Sequence, residues 1–365
     1  MQTAEKICFF NSCKAWGGGE KWHLEMAGEM KQQQTGVILF AHPGSELYLK
    51  AKSAGIPVYG IKVSNFTFLN IFKQKKLAAF LKKEKVTIII LNLPSDLKFA
   101  GWAAKKAGIN KIIYRRGSAI PVKNSFLNRR LFRKIVTGII ANSHETKNTI
   151  TRNNARIIDP AKISVIYNGI DLKTFDSQPV EKIYQRSKNE IILGNAGRLN
   201  KQKNQKFLID IASSLKEKDY HFRLLIAGKG ELLDELKAYS KTKNVEEHIV
   251  FMGFLENIRS FMKNIDIFLF PSFWEGFGYS LVEAMLCEKP VIAFNTSSNP
   301  EIVSDKETGF LTACNNQKEF TERTVQLIEN AELRHSLGKK GRQKAEELFT
   351  LQRSRKEFMD FLKLR

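Results

Sequence analysis

The chain has 365 residues, 43% hydrophobic and 26% charged, long enough for two domains with separate cores. No run of about 18 apolar residues occurs, so no membrane-spanning helix is expected. The formal charge of +22 is uneven: residues 1–170 hold 28 Lys+Arg against 9 Asp+Glu (+19), and the remainder hold 31 against 28 (+3). A basic N-terminal half points to an anionic surface or acceptor. Its charges follow no recognised nucleic-acid-binding module, so no nucleic acid is expected. The four cysteines show no CxxC spacing, and reduced cytosolic thiols are the sensible reading.

In chain order, the N-terminus enters a strand, KICFFN, without the layout of a secretion signal. Gly17, Gly18 and Gly19 follow, then Glu20 at the head of the helical stretch EKWHLEMAGEMKQ. Three glycines let a backbone approach a ligand closely, beyond what a plain turn needs. Strand-like runs GVILFA, PVYGIKV, TIIILNL, KIIYRR, GIIAN and ISVIYN come next, with ELYLKAKSAG and FLNIFKQKKLAAFLKKEK helical between them. Residues 173–189 are polar, carry Pro179 and read as a linker. The rhythm then resumes. EIILGNAG, HFRLLIAG, HIVFMGF, DIFLFPS and KPVIAFN alternate with NQKFLIDIASSLKEK, LLDELKAYSKT and YSLVEAMLCE, and an amphipathic LQRSRKEFMDFLKLR closes the chain. Such alternation predicts parallel sheets with helices on both faces. The expected fold is α/β, with two Rossmann-like domains, 1–172 and 190–345, facing across a cleft. Ligands are expected outside the carboxyl ends of the strands.

Two places carry chemistry. At the end of IILGNAG, Gly197 and Arg198, with Lys203 five positions on, can surround a diphosphate and neutralise its charge. At the end of IDIFLF, Glu275 precedes a glycine turn through Gly276 and Gly278; Tyr279, Ser280 and Leu281 open a helix whose first turns carry Glu283. A helix N-terminus favours phosphate, and carboxylates accept hydrogen bonds from hydroxyl pairs. One site for both points to a nucleotide sugar. No Asp-x-Asp occurs, and no metal or cofactor is expected.

The stretch Phe270–Leu311, with Pro300–Val303 and Gly309–Leu311 downstream of the two glutamates, resembles the signature of the retaining glycosyltransferases of family 4, which have the two-domain GT-B architecture. GNAGRLNKQKN (Gly194–Asn204), VIYNGIDLKTF (Val165–Phe175) and WGGGEKWHLEMA (Trp16–Ala27) resemble further elements of that family in the correct order. The resemblance implies an acceptor-binding first domain, a nucleotide-sugar-binding second domain, and a terminal helix (346–365) packing back on the first. It also implies roles. Arg198 and Lys203 stabilise the leaving diphosphate, Glu275 contacts the transferred sugar, and Glu283 holds the ribose hydroxyls. Gly197, Gly278, Tyr279, Ser280 and Leu281 lie at the donor, with Gly17, Gly18 and Gly19 near its phosphates. Two departures stand out. Where the family has a His after the fifth strand, this chain has Arg115, Arg116 or Gly117, so the two arginines, with Glu20, are placed on the acceptor side. The family's Gly-Gly before Pro-Glu is replaced by Ser297, Ser298 and Asn299.

The expected function is metal-independent, retaining transfer from a nucleotide-diphosphate sugar, UDP favoured, to a saccharide or lipid-linked saccharide in lipopolysaccharide, O-antigen or capsule biosynthesis. A nucleotide-sugar epimerase of the same fold would need a paired acid and base, for which only Glu275 offers itself. A polyanion-binding protein ranks lower still. The expected location is the cytoplasm or the cytoplasmic face of the inner membrane. Lys123–Lys134 mixes Arg129, Arg130, Arg133 and Lys134 with Phe126, Leu127, Leu131 and Phe132, a composition suited to a helix lying on an anionic leaflet.

Overall fold

The computed structural model describes residues 5–364. The chain divides into two units: the described residues up to Asn168 together with those from Ser354 onward, and Gly169–Arg353. The first holds β1 (Lys6–Asn11), α1 (Gly18–Gln32), β2 (Gly36–Ala41), α2 (Glu46–Ser53), β3 (Val58–Gly60), a 3-10 turn (Thr67–Leu69), α3 (Ile71–Lys83), β4 (Ile88–Leu91), α4 (Pro94–Lys106), β5 (Lys111–Arg116), α5 (Phe126–Lys134), β6 (Gly138–Ala141), α6 (His144–Thr151) and β7 (Ile163–Val165). The second holds α7 (Leu172–Ser177), β8 (Ile191–Ala196), α8 (Gln205–Lys216), β9 (Phe222–Ala227), α9 (Leu233–Thr242), β10 (Ile249–Gly253), α10 (Ile258–Asn264), β11 (Ile267–Phe270), α11 (Tyr279–Leu286), β12 (Val291–Phe294), α12 (Asn299–Ile302), β13 (Gly309–Thr312), α13 (Gln317–Glu329) and α14 (Ala331–Leu348). A last helix, α15 (Leu351–Leu364), begins in the second unit and ends in the first.

Each unit has one sheet, in the orders β3-β2-β1-β4-β5-β6-β7 and β10-β9-β8-β11-β12-β13. All pairings in them are parallel. The two Rossmann-like sheets expected from the alternation are present. Central strands such as Ile88–Leu91 and Ile267–Phe270 are wholly buried, which is why they read as unbroken apolar runs: helices cover both faces. In both sheets the order reverses beside the first strand, between β1 and β4 and between β8 and β11. Ligands of open α/β sheets bind at such switch points.

The residues read as a linker are packed on the second unit instead. Ser260 Oγ accepts from Glu181 N (3.0 Å) and donates to Pro179 O (3.1 Å), and Asn264 Nδ2 donates to Glu181 O (2.7 Å). Asp171 caps α7 by accepting from Thr174 N, and Asp176 meets Arg342 at 2.7 Å. The division falls earlier, at Asn168 and Gly169. A Cβ at Gly169 would collide with Thr350 O. Only glycine lets Ile170 pair there, its N–H donating to Phe349 O (2.9 Å) while its carbonyl accepts from Leu351 N (2.9 Å). Beyond Ser354, α15 completes the first unit. Phe358 is fully buried, its ring centroid 6.3 Å from Phe9 and 5.3 Å from Trp22.

Candidate active site

In the second unit, the switch point gathers the ends of β8 and β11 and the start of α11. Lys203, in the loop after β8, places Nζ 2.5 Å from Glu275 Oε1, which follows β11. Both side chains are largely buried, at 17% and 9% exposure. The ammonium also lies 5.0 Å from the Phe270 ring centroid, and the lysine stem packs on Gly197, where a Cβ would stand 3.3 Å from Cε. A cation and a carboxylate 72 positions apart are thus held together by two adjacent strand ends.

The backbone of Glu275 is fixed from β12. Ser297 Oγ accepts from Glu275 N (3.1 Å) and donates to its carbonyl (2.7 Å), and the buried Ser298 Oγ donates to the same carbonyl (3.1 Å). The two serines that depart from the family's glycines therefore clamp the residue assigned to the sugar. Gly278, at φ +82, turns the chain into α11 in a conformation that L side chains rarely adopt. Tyr279 sets its ring against Phe277, 5.3 Å between centroids. Tyr279, Ser280 and Glu283 are half-buried along this helix, whose N-terminal end favours anions. Leu281 is different: its side chain is fully buried and its amide donates to Gly278 O (3.0 Å), so it belongs to the scaffold rather than the donor surface. Arg198 is exposed, with its carbonyl accepting from Gln205 Nε2 (3.1 Å).

One element escaped sequence reading. The loop after β9, Gly228–Gly230, supports the Gly197–Leu199 loop backbone to backbone. Gly197 N donates to Ala227 O and Leu199 N to Lys229 O, both at 3.0 Å. A Cβ at Gly228 would collide with Gly197 O, and one at Gly230 with Leu199 O. The signal was the GKG after LIA, a strand end followed by two spaced glycines.

In the first unit, the glycine loop serves side chains. Gly17 is extended (φ −170), so its conformation does not require glycine; Gly18 opens α1. Space is the reason instead: a Cβ at Gly19 would stand 2.9 Å from Asn92 Nδ2 and 3.3 Å from Arg115 Nη1. Arg115 is buried, donating to Asn92 Oδ1 (3.2 Å) and Asn168 Oδ1 (3.0 Å) with its guanidinium 5.1 Å over Trp22. Glu20, also buried, accepts from Asn11 Nδ2 (3.0 Å) and Asn92 Nδ2 (3.3 Å). Arg116 is buried and donates to Ile120 O. Gly19, Glu20, Asn92, Arg115 and Arg116 line a cavity of about 600 Å³, which Lys98, Lys123 and Phe132 also border.

Two buried titratable groups were missed here. His23 Nδ1 donates to Gly19 O (2.9 Å), and burial, helped by Arg115, lowers its pKa to about 3, so the ring is neutral. Asp96 accepts from Ser12 Oγ (2.5 Å) and Leu93 N (3.0 Å), and burial pushes it up to about 7. Its signal was LPSD: Pro at the first helical position and Asp at the third is a helix-start pattern. Cys13, beside Glu20, is pushed up to about 11, mainly by burial. Among the described residues, no three His, Cys, Asp or Glu gather as a metal-holding group, and no helix is long and apolar enough to cross a membrane.

The apolar face expected on Lys123–Lys134 turns inward. Leu131 and Phe132 are buried and Leu127 packs against the same core, which leaves Phe126 exposed beside Arg130, Arg133 and Lys134. Burial of this kind is invisible in composition.

Comparison with known proteins places both units. A family profile described as Glycosyltransferase Family 4 matches residues 16–174, and one described as Glycosyl transferases group 1 matches residues 176–344. An N-acetylgalactosamine-N,N'-diacetylbacillosaminyl-diphospho-undecaprenol 4-alpha-N-acetylgalactosaminyltransferase from Campylobacter jejuni is 31% identical over 64% of this chain, and the chain spans only 62% of that relative's length. A UDP-Gal:alpha-D-GlcNAc-diphosphoundecaprenol alpha-1,3-galactosyltransferase from Escherichia coli is 29% identical, with 68% of each covered. Anabaena Alr3699/HepE, solved in complex with UDP, superposes with a TM-score of 0.85 over 99% of this chain and 100% of its own; at 20% identity this is a likeness of fold.

Proposed function

Because the chain belongs to the family 4, group 1 glycosyltransferases, we propose that it transfers a sugar from a nucleoside-diphosphate sugar to a lipid-linked saccharide during cell-surface polysaccharide assembly. The observation that carries this reading is the Lys203–Glu275 pair at the second switch point, 2.5 Å apart beside the N-terminus of α11. In this reading the diphosphate lies against Gly197, Gly278, Tyr279 and Ser280, with Arg198 and Lys203 drawing off its charge. Glu283 takes the ribose hydroxyls and Glu275 a hydroxyl of the sugar. The relatives that act on undecaprenol-linked saccharides support the acceptor class, and the UDP-bound fold neighbour supports a uridine donor.

The proposed reaction is retaining and needs no metal. The bond between the anomeric carbon and the β-phosphate oxygen breaks, with its electron pair going to the phosphate. The acceptor hydroxyl bonds to the anomeric carbon on the same face, and its proton passes to the departing phosphate oxygen. Neither glutamate acts as nucleophile; catalysis is charge stabilisation and alignment. The cavity of about 600 Å³ in the first unit would take the acceptor, against Arg115, Arg116 and Glu20. The protein would work in the cytoplasm at the inner leaflet, with Arg130, Arg133 and Lys134 drawn to anionic lipid.

A thermal-shift series with UDP, GDP, ADP, dTDP and CMP, followed by their sugar conjugates, tests the donor site. Selective stabilisation by UDP is the expected result, since a ligand bound only by the folded state raises its melting temperature. Stabilisation by none of them would overturn the assignment.

A further inference from the structure

Among the described residues, the large exposed apolar side chains are scattered, with one exception. Phe66, Leu69, Ile71 and Phe72 sit on seven consecutive residues with exposures of 76%, 65%, 57% and 85%. Single exposed apolar residues are ordinary, but clustered ones mark interaction sites. The cluster is built, not loose. Thr67 Oγ1 accepts from Ser64 N (2.8 Å), and Asn70 Oδ1 caps α3 by accepting from Lys73 N (2.9 Å). The buried Gln74 donates to Phe68 O (2.5 Å), and Phe68 itself packs on the core of the unit. Inward, α3 buries Gln74, Leu77, Ala78 and Leu81. The 3-10 turn and the first turn of α3 therefore form a rigid knuckle that holds its apolar side chains outward.

The charge around it is of one sign. Between Glu46 and Glu84 the chain carries eight lysines and no aspartate or glutamate. Lys73, Lys75 and Lys76 are exposed on the turn that follows the apolar tip. A second copy of a chain with net charge +22 would set like charge against like. Anchors typical of protein interfaces are also missing: residues 61–85 contain no Arg, Trp or Tyr. Phe, Leu and Ile at a tip, with lysines behind them, fit an anionic bilayer, where the apolar groups enter the acyl boundary and ammonium groups meet the headgroups.

We propose that the knuckle Phe66–Lys76 docks on an anionic lipid surface, inserting Phe66, Leu69, Ile71 and Phe72. The apolar contact thus belongs to the start of α3, not to α5, whose Leu127, Leu131 and Phe132 are spent on the core and which leaves a single exposed ring, Phe126. This docking needs neither donor nor acceptor and goes beyond the transferase reading.

The test is co-sedimentation of the full chain with vesicles of phosphatidylcholine alone or mixed with phosphatidylglycerol. Binding to the mixed vesicles is expected, with Phe66→Ser/Phe72→Ser weakening it at least about tenfold, since each ring loses its apolar burial. Lys73→Glu/Lys76→Glu should weaken it by about fivefold or more for each lysine lost. Both pairs are exposed, so melting temperatures should match the parent. A parent that ignores the mixed vesicles overturns the proposal, as does a Phe66→Ser/Phe72→Ser protein that binds like the parent. Loss confined to Arg130→Glu/Arg133→Glu would give the contact to α5 and also overturn it. Concentration-dependent association that Phe66→Ser/Phe72→Ser abolishes, without vesicle binding, would assign the tip to a second copy instead. UDP-induced stabilisation of the same variants reads the donor site separately, so either proposal can fail alone.

Discussion

Lys203 and Glu275 show how one residue can hold two jobs. The lysine is the cation assigned to the diphosphate and the partner of the carboxylate assigned to the sugar, so Lys203→Ala removes one charge and leaves the other largely buried without it. Arg198, exposed at the rim of the same loop, carries no such second role. Both alanine variants should lower kcat by about 30- to 1000-fold, the usual cost of losing one electrostatic donor, and Lys203→Ala should lose more. Steady-state kinetics with saturating donor checks this; losses below about tenfold in both would contradict their roles. Ser298→Ala should cost about 1 kcal/mol of stability, read by urea unfolding, because Glu275 O keeps only one hydroxyl donor. The sequence made Glu275, Lys203 and Arg198 legible through their fixed distances from strand ends. It did not reveal the serine clamp, since two hydroxyls in a loop announce no partner 22 positions away.

Elements were legible where a single physical signal dominates. Strands buried on both faces are unbroken apolar runs, and these were found. β13 is only four residues long, and its Gly309 reads as a turn; a Cβ there would collide with Val291 O, so glycine is what the strand needs. α14 was missed because AELRHSLGKKGRQKAEEL is strongly charged and carries two glycines. A Cβ at Gly338 would collide with Glu288 O, and one at Gly341, on the same helix face, would meet Met285. The head of α4 carries a titration signature. Asp96 holds its proton up to about pH 7 when folded, against 3.8 ordinarily. Its stabilising contribution is complete below the ordinary value and is lost as pH rises toward 7. Stability should therefore fall by up to about 1.4 kcal/mol per pH unit across that window through this group. His23 works in the opposite sense. Its lowered pKa makes the folded state lose stability as pH falls from 6.5 toward 3. The difference between parent and Asp96→Asn, measured by denaturant unfolding across the window, isolates the carboxyl. A difference that does not change with pH would refute its raised pKa.

For the whole molecule, the two-unit α/β plan was readable from alternation alone, but the point of division was not. Gly169 looks like any turn glycine until Thr350 O is seen against it. Nor could periodicity say that α15 would finish the first unit. Phe358 is fully buried against Phe9 and Trp22, so Phe358→Ala should cost about 3–5 kcal/mol. Tryptophan fluorescence of Trp22 during denaturation would report it, and an unchanged midpoint would show that the helix is dispensable to that core.

The return of α15 also sets an order of events on the ribosome. The first unit is translated early, yet the aromatic that closes over Phe9 and Trp22 arrives only after Gly169–Arg353 has been made. At about 5–20 residues per second those 185 residues take roughly 10–40 s. For that interval the nascent first half must keep an apolar seam exposed while carrying most of the chain's net positive charge. Net charge far from zero keeps a chain soluble, so a lysine-rich surface suits a core whose last piece arrives late.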